Sequence, residues 1–384
     1  MQKSPAPQIS PIPTHSVASR TRWPGLDGLR GVAVLLVFAF HLPVRVFWAG
    51  SYGVTVFFVL SGFLITKILL EELQTTEKVG LRWFYGRRAA RLIPALLLVT
   101  LGHLALQLTV LGQPEEWWER TWPVLAYVAN LATVNGIDLV HMRHTWSLAI
   151  EEHFYLLWPV ILIVIKSRWR VTAAWLLTAF FAGWRLALLL LGSDNIRVAF
   201  STDTNAFALF LGCALAVSHF ERPQPSVERN ISALSVGSII LAANIPWDFA
   251  DRRLLYLTIP VAGLAAIATW AAVSTPTPWL MNPVLRWFGR ISYGLYLWHF
   301  VLISMPWERW PVPVVLPMVV TPIAAAAISY YLVEAPILSW WRRYELNRRK
   351  PESLSNAGHS FPLVGPAGGL QPVAADSREA IGIE

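Results

Sequence analysis

Three polar residues stand on an otherwise apolar stretch, GLDGLRGVAVLLVFAFH at residues 25–41: Asp27, Arg30 and His41. At 100° per residue of helix, they fall within about 60° of one another and so share one face. The helical rise separates Arg30 from His41 by roughly 16 Å along the axis. Charges and imidazoles are costly inside lipid. This spacing therefore indicates that Arg30 and His41 serve the two ends of something long.

Two further segments place chemically active side chains at helical spacing. FYGRRAARLIP holds Arg88 and Arg91 as i, i+3 neighbours, and HTWSLAIEEHFYLLWP puts His144, Ser147 and Glu151 on one face, spaced by three and four residues. Guanidinium groups bind anions well, and histidine is the usual base near neutral pH. The sequence thus predicts a slot for a long molecule with an anionic head and a reactive tip.

Each feature also has a purely structural interpretation. The arginines at residues 87–91 are typical of anchors that bind lipid phosphates at a membrane surface. Arg30 is equally compatible with a side chain that extends to the interface. His41 lies two residues before Pro43 and is compatible with a helix-end histidine that meets interfacial water. Sequence alone leaves these alternatives open.

The remaining polar residues of the apolar segments also have either a structural or a functional interpretation. His144 and His153 are more typical of incidental polar positions than of catalytic ones. His299 and Glu334 are equally compatible with structural pairs that hold the last two long helices against the rest of the protein. Glu151 is harder to explain as structure, because a carboxyl group several residues into a membrane span needs a partner or a proton.

The composition places the chain among membrane proteins. Of its 384 residues, 55% are hydrophobic and 14% charged. The net charge of +8 comes from short basic clusters beside apolar segments, which indicates membrane topology rather than nucleic-acid binding. The single cysteine, Cys213, lies in an apolar run and is predicted to be a buried structural thiol. Residues 1–22 are rich in Pro, Ser and Thr, so we expect no cleavable signal peptide.

The apolar runs predict an all-α polytopic membrane protein with about ten transmembrane helices and one short re-entrant or interfacial segment, residues 121–135. The predicted spans are residues 28–44, 51–70, 92–111, 146–165, 172–191, 205–220, 231–247, 254–273, 291–310 and 314–333.

Charge bias predicts the orientation of these spans. If the segment 121–135 does not cross, one set of loops carries twenty lysines and arginines and the other set carries seven. The positive-inside rule then places both termini in the cytoplasm, and the protein in the cell membrane. We expect a membrane domain over residues 23–345, flanked by disordered cytoplasmic segments at 1–22 and 346–384.

Six segments in order resemble the signature motifs of the integral-membrane acyltransferase 3 family, which comprises O-acyltransferases of O-antigen, exopolysaccharide, peptidoglycan and macrolides. The segments are GLDGLRGVAVLLVFAFH, GVTVFFVLSGFLIT, FYGRRAARLIP, HTWSLAIEEHFYLLWP, ISYGLYLWH and YLVEAP, and the resemblance covers about residues 24–345. His153 stands where the family usually has Gln. The resemblance does not extend to the SGNH esterase-like domain that some members carry, so no acceptor step on that domain is expected.

The resemblance implies an acyltransferase that moves an acyl group, usually acetyl, from acyl-CoA to a hydroxyl acceptor. The Arg-x10-His pair and the Arg-x-x-Arg pair are the functional motifs of the family. We therefore expect Arg30, Arg88 and Arg91 to hold the phosphates of coenzyme A at the cytoplasmic mouth. Acyl-CoA is expected as a substrate, with no tightly bound cofactor and no metal, because the His and acidic residues lack ligand spacing.

The transfer requires a base, since a hydroxyl group is a poor nucleophile at neutral pH. We expect His41 to be that base, Glu151 to orient or charge-stabilise it, and Ser147 or a backbone N–H to donate to the developing oxyanion. Direct transfer and an acyl-enzyme on Ser147 or His41 both remain open. The acceptor is a polysaccharide sugar, peptidoglycan, a macrolide or a lipid.

A transporter or flippase for a glycan or a lipid-linked intermediate is the main alternative, because such proteins also keep intramembrane acids and arginines facing a cavity. Transporters often show inverted repeats with broken helices, which this sequence does not show. A scaffold with a dead active site is a further alternative, but it would be expected to lose the polar motif residues.

Overall fold

The computed structural model describes residues 23–43, 47–112, 114–220, 224–246, 251–274, 276–305 and 315–348, and this part of the chain contains helices and turns but no strand. The helices are α1 Pro24–His41, α2 Tyr52–Thr76, α3 Leu81–Leu106, α4 Trp117–Leu125, α5 Ala129–Val134, α6 Trp146–Val164, α7 Arg170–Leu190, α8 Asn195–Phe200, α9 Thr202–Val217, α10 Pro225–Asn244, α11 Arg252–Ser274, α12 Pro283–Ile303, α13 Val315–Ser329 and α14 Ala335–Arg348.

The ten predicted spans each coincide with one long helix, which confirms an all-α polytopic membrane protein. Within the described ranges, eight helices are long and apolar enough to cross a bilayer. The other two, α10 and α12, have membrane length but carry more polar residues, such as Arg286 and Arg290 on α12. Helix α3 begins at Leu81, eleven residues before its predicted span at 92–111, so its arginines belong to the helix itself.

The predicted terminal segments lie mostly outside the described residues. Of the tail predicted at 346–384, the structure describes residues 346–348, and these complete α14 instead of being disordered. The other residues predicted to be disordered are not described. The described helical bundle extends to residue 341 as one compact unit.

The first helix lies against α12 at unusually short range. A Cβ atom on Gly31 would overlap the carbonyl oxygen of Leu285, and one on Gly289 would overlap the carbonyl oxygen of Asp27. Small residues allow this approach in membrane proteins, where packing rather than the hydrophobic effect holds helices together. The contact is what brings the polar face of α1 against the polar residues of α12.

Helices α2 and α9 meet in the same manner. Gly62 faces the backbone of Leu209, and Gly212 faces that of Val59, without room for a side chain on either glycine. Cys213 is fully buried beside this contact, with its Sγ atom 3.7 Å from the carbonyl oxygen of Gly62, as expected of a structural thiol. Two glycine contacts therefore fix the centre of the bundle.

The segment at residues 121–135 forms two short helices, each too short to cross a bilayer. Helix α4 ends at Leu125 and α5 begins at Ala129. Between them, Tyr127 adopts a left-handed backbone conformation (φ 54°) and contacts the side chain of Tyr293 on α12. His153 of α6 hydrogen bonds to the backbone of Tyr127. The segment is thus two short helices joined at Tyr127, and Tyr293 and His153 contact this junction.

Replacing Gly289 with Ala is expected to destabilise the protein, because the new methyl group overlaps the backbone of α1. Overpacking of this kind costs about 1–3 kcal/mol. Gly263→Ala on α11 is the matched control, since its Cβ atom would meet nothing within 4 Å and Ala favours the helix. The measurement is the melting temperature in detergent, and equal melting temperatures for the two variants would contradict the proposed close approach.

Candidate active site

Three arginines meet at one end of the bundle, here named the arginine end: Arg30 of α1, and Arg88 and Arg91 of α3. The Nη2 atom of Arg30 donates to Oγ of Ser292 on α12 over 3.0 Å. The Arg88 guanidinium lies over the ring of Tyr155 on α6, 4.0 Å from its centroid. Arg91 interacts electrostatically with both other arginines. The structure therefore brings together the arginines of two predicted motifs.

These three arginines are not fully covered by the residues that contact them. All three side chains keep part of their surface accessible although they lie on helices of the bundle. The buried Nε atom of Arg30 has no hydrogen-bond partner among the described residues. Asp27 interacts electrostatically with Arg30 and Arg91. Glu334 also interacts electrostatically with Arg30 and Arg91, so the capacity of this end to bind an anion rests on its accessible guanidinium groups and on the unpartnered Nε of Arg30, not on an excess of positive charge.

Glu151 lies at the arginine end, and the expectation that it supports His41 is wrong for this structure. Its carboxylate accepts a hydrogen bond from Ser61 over 3.0 Å and lies 3.0 Å from the hydroxyl oxygen of Tyr155. It also interacts electrostatically with Arg30 and Arg88. The reason is helical rise, because four residues of α6 separate Glu151 from Ser147 by about 6 Å along the axis. The two residues lie on the same face of α6 but at different heights along the helix axis.

Three imidazoles meet at the opposite end, here named the histidine end: His41 of α1, His144 before α6 and His299 of α12. The ring centroids of His41 and His299 are 5.0 Å apart, and those of His144 and His299 are 5.1 Å apart. His144 and His299, which the sequence presented as incidental or structural, are therefore direct neighbours of the predicted base.

Backbone carbonyls orient each of these rings. Nδ1 of His41 donates to the carbonyl oxygen of Val37 over 2.8 Å, because a carbonyl oxygen can only accept, and Nε2 of the neutral ring then keeps its lone pair. His299 likewise uses Nδ1 on the carbonyl oxygen of Tyr296, and its buried Nε2 has no partner among the described residues. The arrangement leaves basic nitrogen atoms free for chemistry.

Ser147 joins the histidine end through Tyr296, a residue that the sequence interpretation missed. The Tyr296 hydroxyl donates to the backbone carbonyl of His144 over 2.6 Å, and Oγ of Ser147 lies 2.6 Å from the same hydroxyl. The signal was present in ISYGLYLWH, where Tyr296 and His299 are three residues apart and hence on one face of α12. A second histidine pair, His103 and His141, adjoins the group with ring centroids 5.6 Å apart.

No group of three or more His, Cys, Asp or Glu side chains in the described part of the chain has the geometry to hold a metal ion. The polar groups are organised instead by hydrogen bonds between side chains and to backbone carbonyls. Along α1, Arg30 of the arginine end and His41 of the histidine end are separated by roughly 16 Å, the rise of eleven helical residues. The two clusters are therefore separate along α1 and chemically different.

The structure is a helical membrane bundle in which one polar face carries guanidinium groups at one end and imidazoles at the other. These features place the protein in the class of polytopic membrane proteins with a polar site among their helices. The chain belongs to the Acyl_transf_3 family, described as an acyltransferase domain, whose family model matches residues 23–334. This match confirms the resemblance drawn from the six sequence segments.

The chain is also similar to curated relatives. It is 35% identical to the peptidoglycan O-acetyltransferase OatA of Listeria monocytogenes, over 75% of this chain and 50% of the relative. It is 33% identical to the putative peptidoglycan O-acetyltransferase YrhL of Bacillus subtilis, over 95% of this chain and 64% of the relative. It is 31% identical to the O-acetyltransferase OatA of Staphylococcus aureus, over 82% of this chain and 57% of the relative. The chain thus spans about half to two thirds of these relatives. No solved structure matches it.

Tyr296→Phe is expected to destabilise the protein more than Ser147→Ala. Removing the Tyr296 hydroxyl leaves the buried His144 carbonyl and the Ser147 hydroxyl without their partner, which costs about 1–3 kcal/mol for each buried group. Ser147→Ala keeps the bond from Tyr296 to His144 and is expected to cost only about 0.5–1.5 kcal/mol. Melting temperatures in detergent give the order, and a less stable Ser147→Ala variant would contradict the assigned bond direction.

Proposed function

We propose that the protein is a membrane-bound O-acyltransferase that moves an acetyl group from acetyl-CoA to a hydroxyl group of a cell-envelope carbohydrate. The observation that carries this proposal is the placement of an arginine cluster and a histidine cluster at the two ends of one face of α1. The names of the relatives, which are peptidoglycan O-acetyltransferases, favour acetyl as the acyl group and a glycan as the acceptor.

The donor binds with its anionic nucleotide at the arginine end. Arg88 and Arg91 of α3, together with Arg30 of α1, offer guanidinium groups that match phosphate oxygens in charge and geometry. The pantetheine arm of coenzyme A then runs along α1 toward the histidine end. Glu151, held by Ser61 and Tyr155, balances part of the positive charge along this path.

The transfer takes place beside His41. Nε2 of His41 accepts the proton of the acceptor hydroxyl, the hydroxyl oxygen attacks the thioester carbonyl, and the carbon–sulfur bond breaks as the new ester forms. The imidazolium then returns the proton to the departing thiolate, so coenzyme A leaves as the thiol. Ser147 donates to the developing oxyanion by exchanging its hydrogen bond with Tyr296 for one to the carbonyl oxygen.

The orientation in the membrane follows from this assignment. Acyl-CoA is a cytoplasmic metabolite, so the arginine end faces the cytoplasm and the histidine end faces the outer half of the bilayer. The excess of basic residues in the loops at the arginine end supports the same orientation. Both termini are then cytoplasmic, and the acceptor reaches His41 from outside.

His41→Ala is expected to lower acetyl transfer by about 10²–10⁴-fold, the usual contribution of a positioned general base. The assay is the release of free thiol from acetyl-CoA by detergent-purified protein in the presence of peptidoglycan fragments. His219→Ala is the matched control, because His219 is exposed and distant in sequence from both clusters. Full activity in His41→Ala would exclude His41 as the base. A wild-type protein that binds the fragments but leaves the thioester intact would indicate a transporter instead.

Arg88→Ala and Arg91→Ala are each expected to weaken binding of coenzyme A by about tenfold or more, because a hydrogen bond to a charged group contributes about 1.5–3 kcal/mol. Arg82→Ala is the control, since Arg82 is an exposed arginine on the same helix whose guanidinium lies over Trp83. Calorimetric titration of the purified variants measures the affinity. Unchanged affinity in all three variants would return Arg88 and Arg91 to the role of lipid anchors.

A further inference from the structure

Buried polar atoms without a hydrogen-bond partner gather where the end of α3 meets α4, α12 and the 3₁₀ helix Val140–Thr145. Helix α4 packs against both α3 and the 3₁₀ helix, and α12 packs against the same two elements. Within the described residues, the unpartnered atoms here include Nδ1 of His103, Oε1 of Gln107, Oγ1 of Thr121, Nδ1 of His144 and Nε2 of His299. We name these five residues, together with His141, the polar cluster. An unpaired buried polar group costs free energy, so a group of them indicates a missing partner.

His103 and Gln107 bond to each other and still leave one donor and one acceptor free. The Nε2 atoms of the two side chains are 3.1 Å apart. Since the amide nitrogen of Gln107 can only donate, Nε2 of His103 accepts, and the neutral ring carries its proton on Nδ1. That N–H group and the Oε1 atom of Gln107 are both buried and have no partner among the described residues. The pair can therefore both donate to a ligand and accept from it.

His144 and His141 each offer an imidazole nitrogen as a further acceptor. Nε2 of His144 donates to the carbonyl oxygen of Leu297 over 3.1 Å, so its buried Nδ1 atom keeps a free lone pair. Nδ1 of His141 lies 2.6 Å from Oγ of Ser304, and the hydroxyl proton of Ser304 is donated to the carbonyl oxygen of Phe300. Nδ1 of His141 is therefore the donor in that pair, and Nε2 of this ring remains an acceptor.

The polar cluster is continuous with the histidine end. His144 and His299 belong to both, with ring centroids 5.1 Å apart. His103 interacts electrostatically with His144, and its ring centroid is 5.6 Å from that of His141. Twelve residues of α3 separate His103 from Arg91, which places it about 18 Å along the axis from the arginine end. A molecule bound here would therefore lie beside the proposed base and not beside the arginines.

The charged groups around the polar cluster are already paired. Among the described residues, Arg120 and Asp138 interact electrostatically with its imidazoles. Arg120 forms an ion pair with Glu116, and Asp138 forms one with Arg143. The polar cluster itself consists of imidazole, amide and hydroxyl groups. It therefore favours an uncharged ligand that can donate and accept hydrogen bonds over an anion or a cation.

The backbone changes form at the polar cluster. Helix α3 ends at Leu106 and continues as a π-helical turn, Gln107–Leu111. Such turns shift side chains out of the α-helical register and are frequent at functional sites. Gln107 is the first residue of this turn and is 1% exposed, so its amide group lies inside the protein with the other polar groups.

Helix α4 covers one side of the polar cluster. His103, Gln107 and Thr121 are each at most 1% exposed. Thr121 lies on the buried face of α4, whereas Trp118 and Trp122 lie on its exposed face. The helix is only nine residues long. A short element with few buried contacts is displaced at a lower free energy than the long helices, so α4 is the element that opens the polar cluster to a ligand.

We infer that the polar cluster is the acceptor site and that it binds an uncharged sugar unit through the hydroxyl groups of the sugar. The inference rests on the proposed function, since it assigns the acceptor of that reaction. A sugar hydroxyl both donates and accepts, so it supplies the partners that His103, Gln107 and Thr121 lack. The hydroxyl that is held beside His144 is the one directed to His41.

A double apolar substitution, His103→Leu with Gln107→Leu, tests the polar cluster. Because apolar groups of similar size replace both members of a hydrogen-bonded pair, we expect the melting temperature in detergent to stay equal or to rise. We expect the affinity for triacetylchitotriose, an uncharged sugar trimer, to fall about tenfold or more in calorimetric titration, since the hydrogen bonds to the sugar are lost. Thr109→Val is the matched control, because the exposed Thr109 hydroxyl donates to the Ala105 carbonyl of its own helix. Both measurements are expected to stay unchanged in the control.

A single substitution of the same shape, Thr121→Val, gives the same test if the double variant folds poorly. It exchanges an unpaired buried hydroxyl group for a methyl group. We expect the melting temperature not to fall and the affinity for triacetylchitotriose to weaken about threefold or more. In the thiol-release assay, we expect the KM for peptidoglycan fragments to rise in both variants. The KM for acetyl-CoA is expected to stay unchanged, because the donor binds at the arginine end.

The outcomes separate this site from the proposed acyl transfer. Unchanged affinity for triacetylchitotriose in both variants would overturn the acceptor site, whatever the enzyme does with acetyl-CoA. If the melting temperature also falls, buried water alone is the missing partner of these groups. A wild-type protein that does not bind triacetylchitotriose would overturn the uncharged sugar as the ligand. Sugar binding that depends on the polar cluster, in a wild-type protein that never consumes acetyl-CoA, would overturn the acyl transfer and leave the sugar site intact.

Discussion

The close contact between α1 and α12 is the constraint on which both ends of the site depend. Glycines at residues 31 and 289 leave the two backbones in direct contact, and no side chain separates them. At that distance, Arg30 reaches Ser292 at one end of the contact, and His41 meets His299 at the other. A wider spacing would detach the arginine from its hydroxyl partner and separate the imidazoles. The chemistry is thus set by backbone packing before any polar side chain is considered.

The polar groups inside the bundle are arranged so that the membrane does not face them. In lipid, an unsatisfied polar group costs several kcal/mol, so each must find its partner within the protein. Backbone carbonyls near the ends of the helices serve the imidazoles of His41 and His299, and hydroxyl groups serve Glu151. Where the partners run out, as at Nε of Arg30, the structure leaves capacity for a ligand. The need to pair buried polar groups therefore both stabilises the bundle and indicates where the site lies.

The sequence predicted those features of the fold that depend on helical period and on the length of apolar runs. It did not predict the features of the site that depend on contacts between segments distant in the sequence. The ten long helices and the shared face of Asp27, Arg30 and His41 follow from local pattern. The partner of Glu151 does not, because residues on one helix face are spread over several levels, and only the position of α2 shows that Ser61 meets it. The sequence pattern places Tyr296 on one face of α12 with His299, but its bond to the His144 carbonyl depends on how α12 packs against the segment before α6, which the pattern does not give.

The displacement of Glu151 from His41 changes how the proposed transfer must proceed. In a catalytic triad, a carboxylate both orients the histidine and balances the imidazolium that forms. Here the carbonyl of Val37 supplies orientation alone, and no carboxylate of the described residues contacts the ring. Among the described residues, an imidazolium at this position has no stabilising carboxylate, so the developing oxyanion and the thiolate of the leaving group would stabilise it. Proton transfer to that thiolate is then coupled closely to cleavage of the thioester, which favours direct transfer between bound donor and acceptor over a long-lived acyl-enzyme.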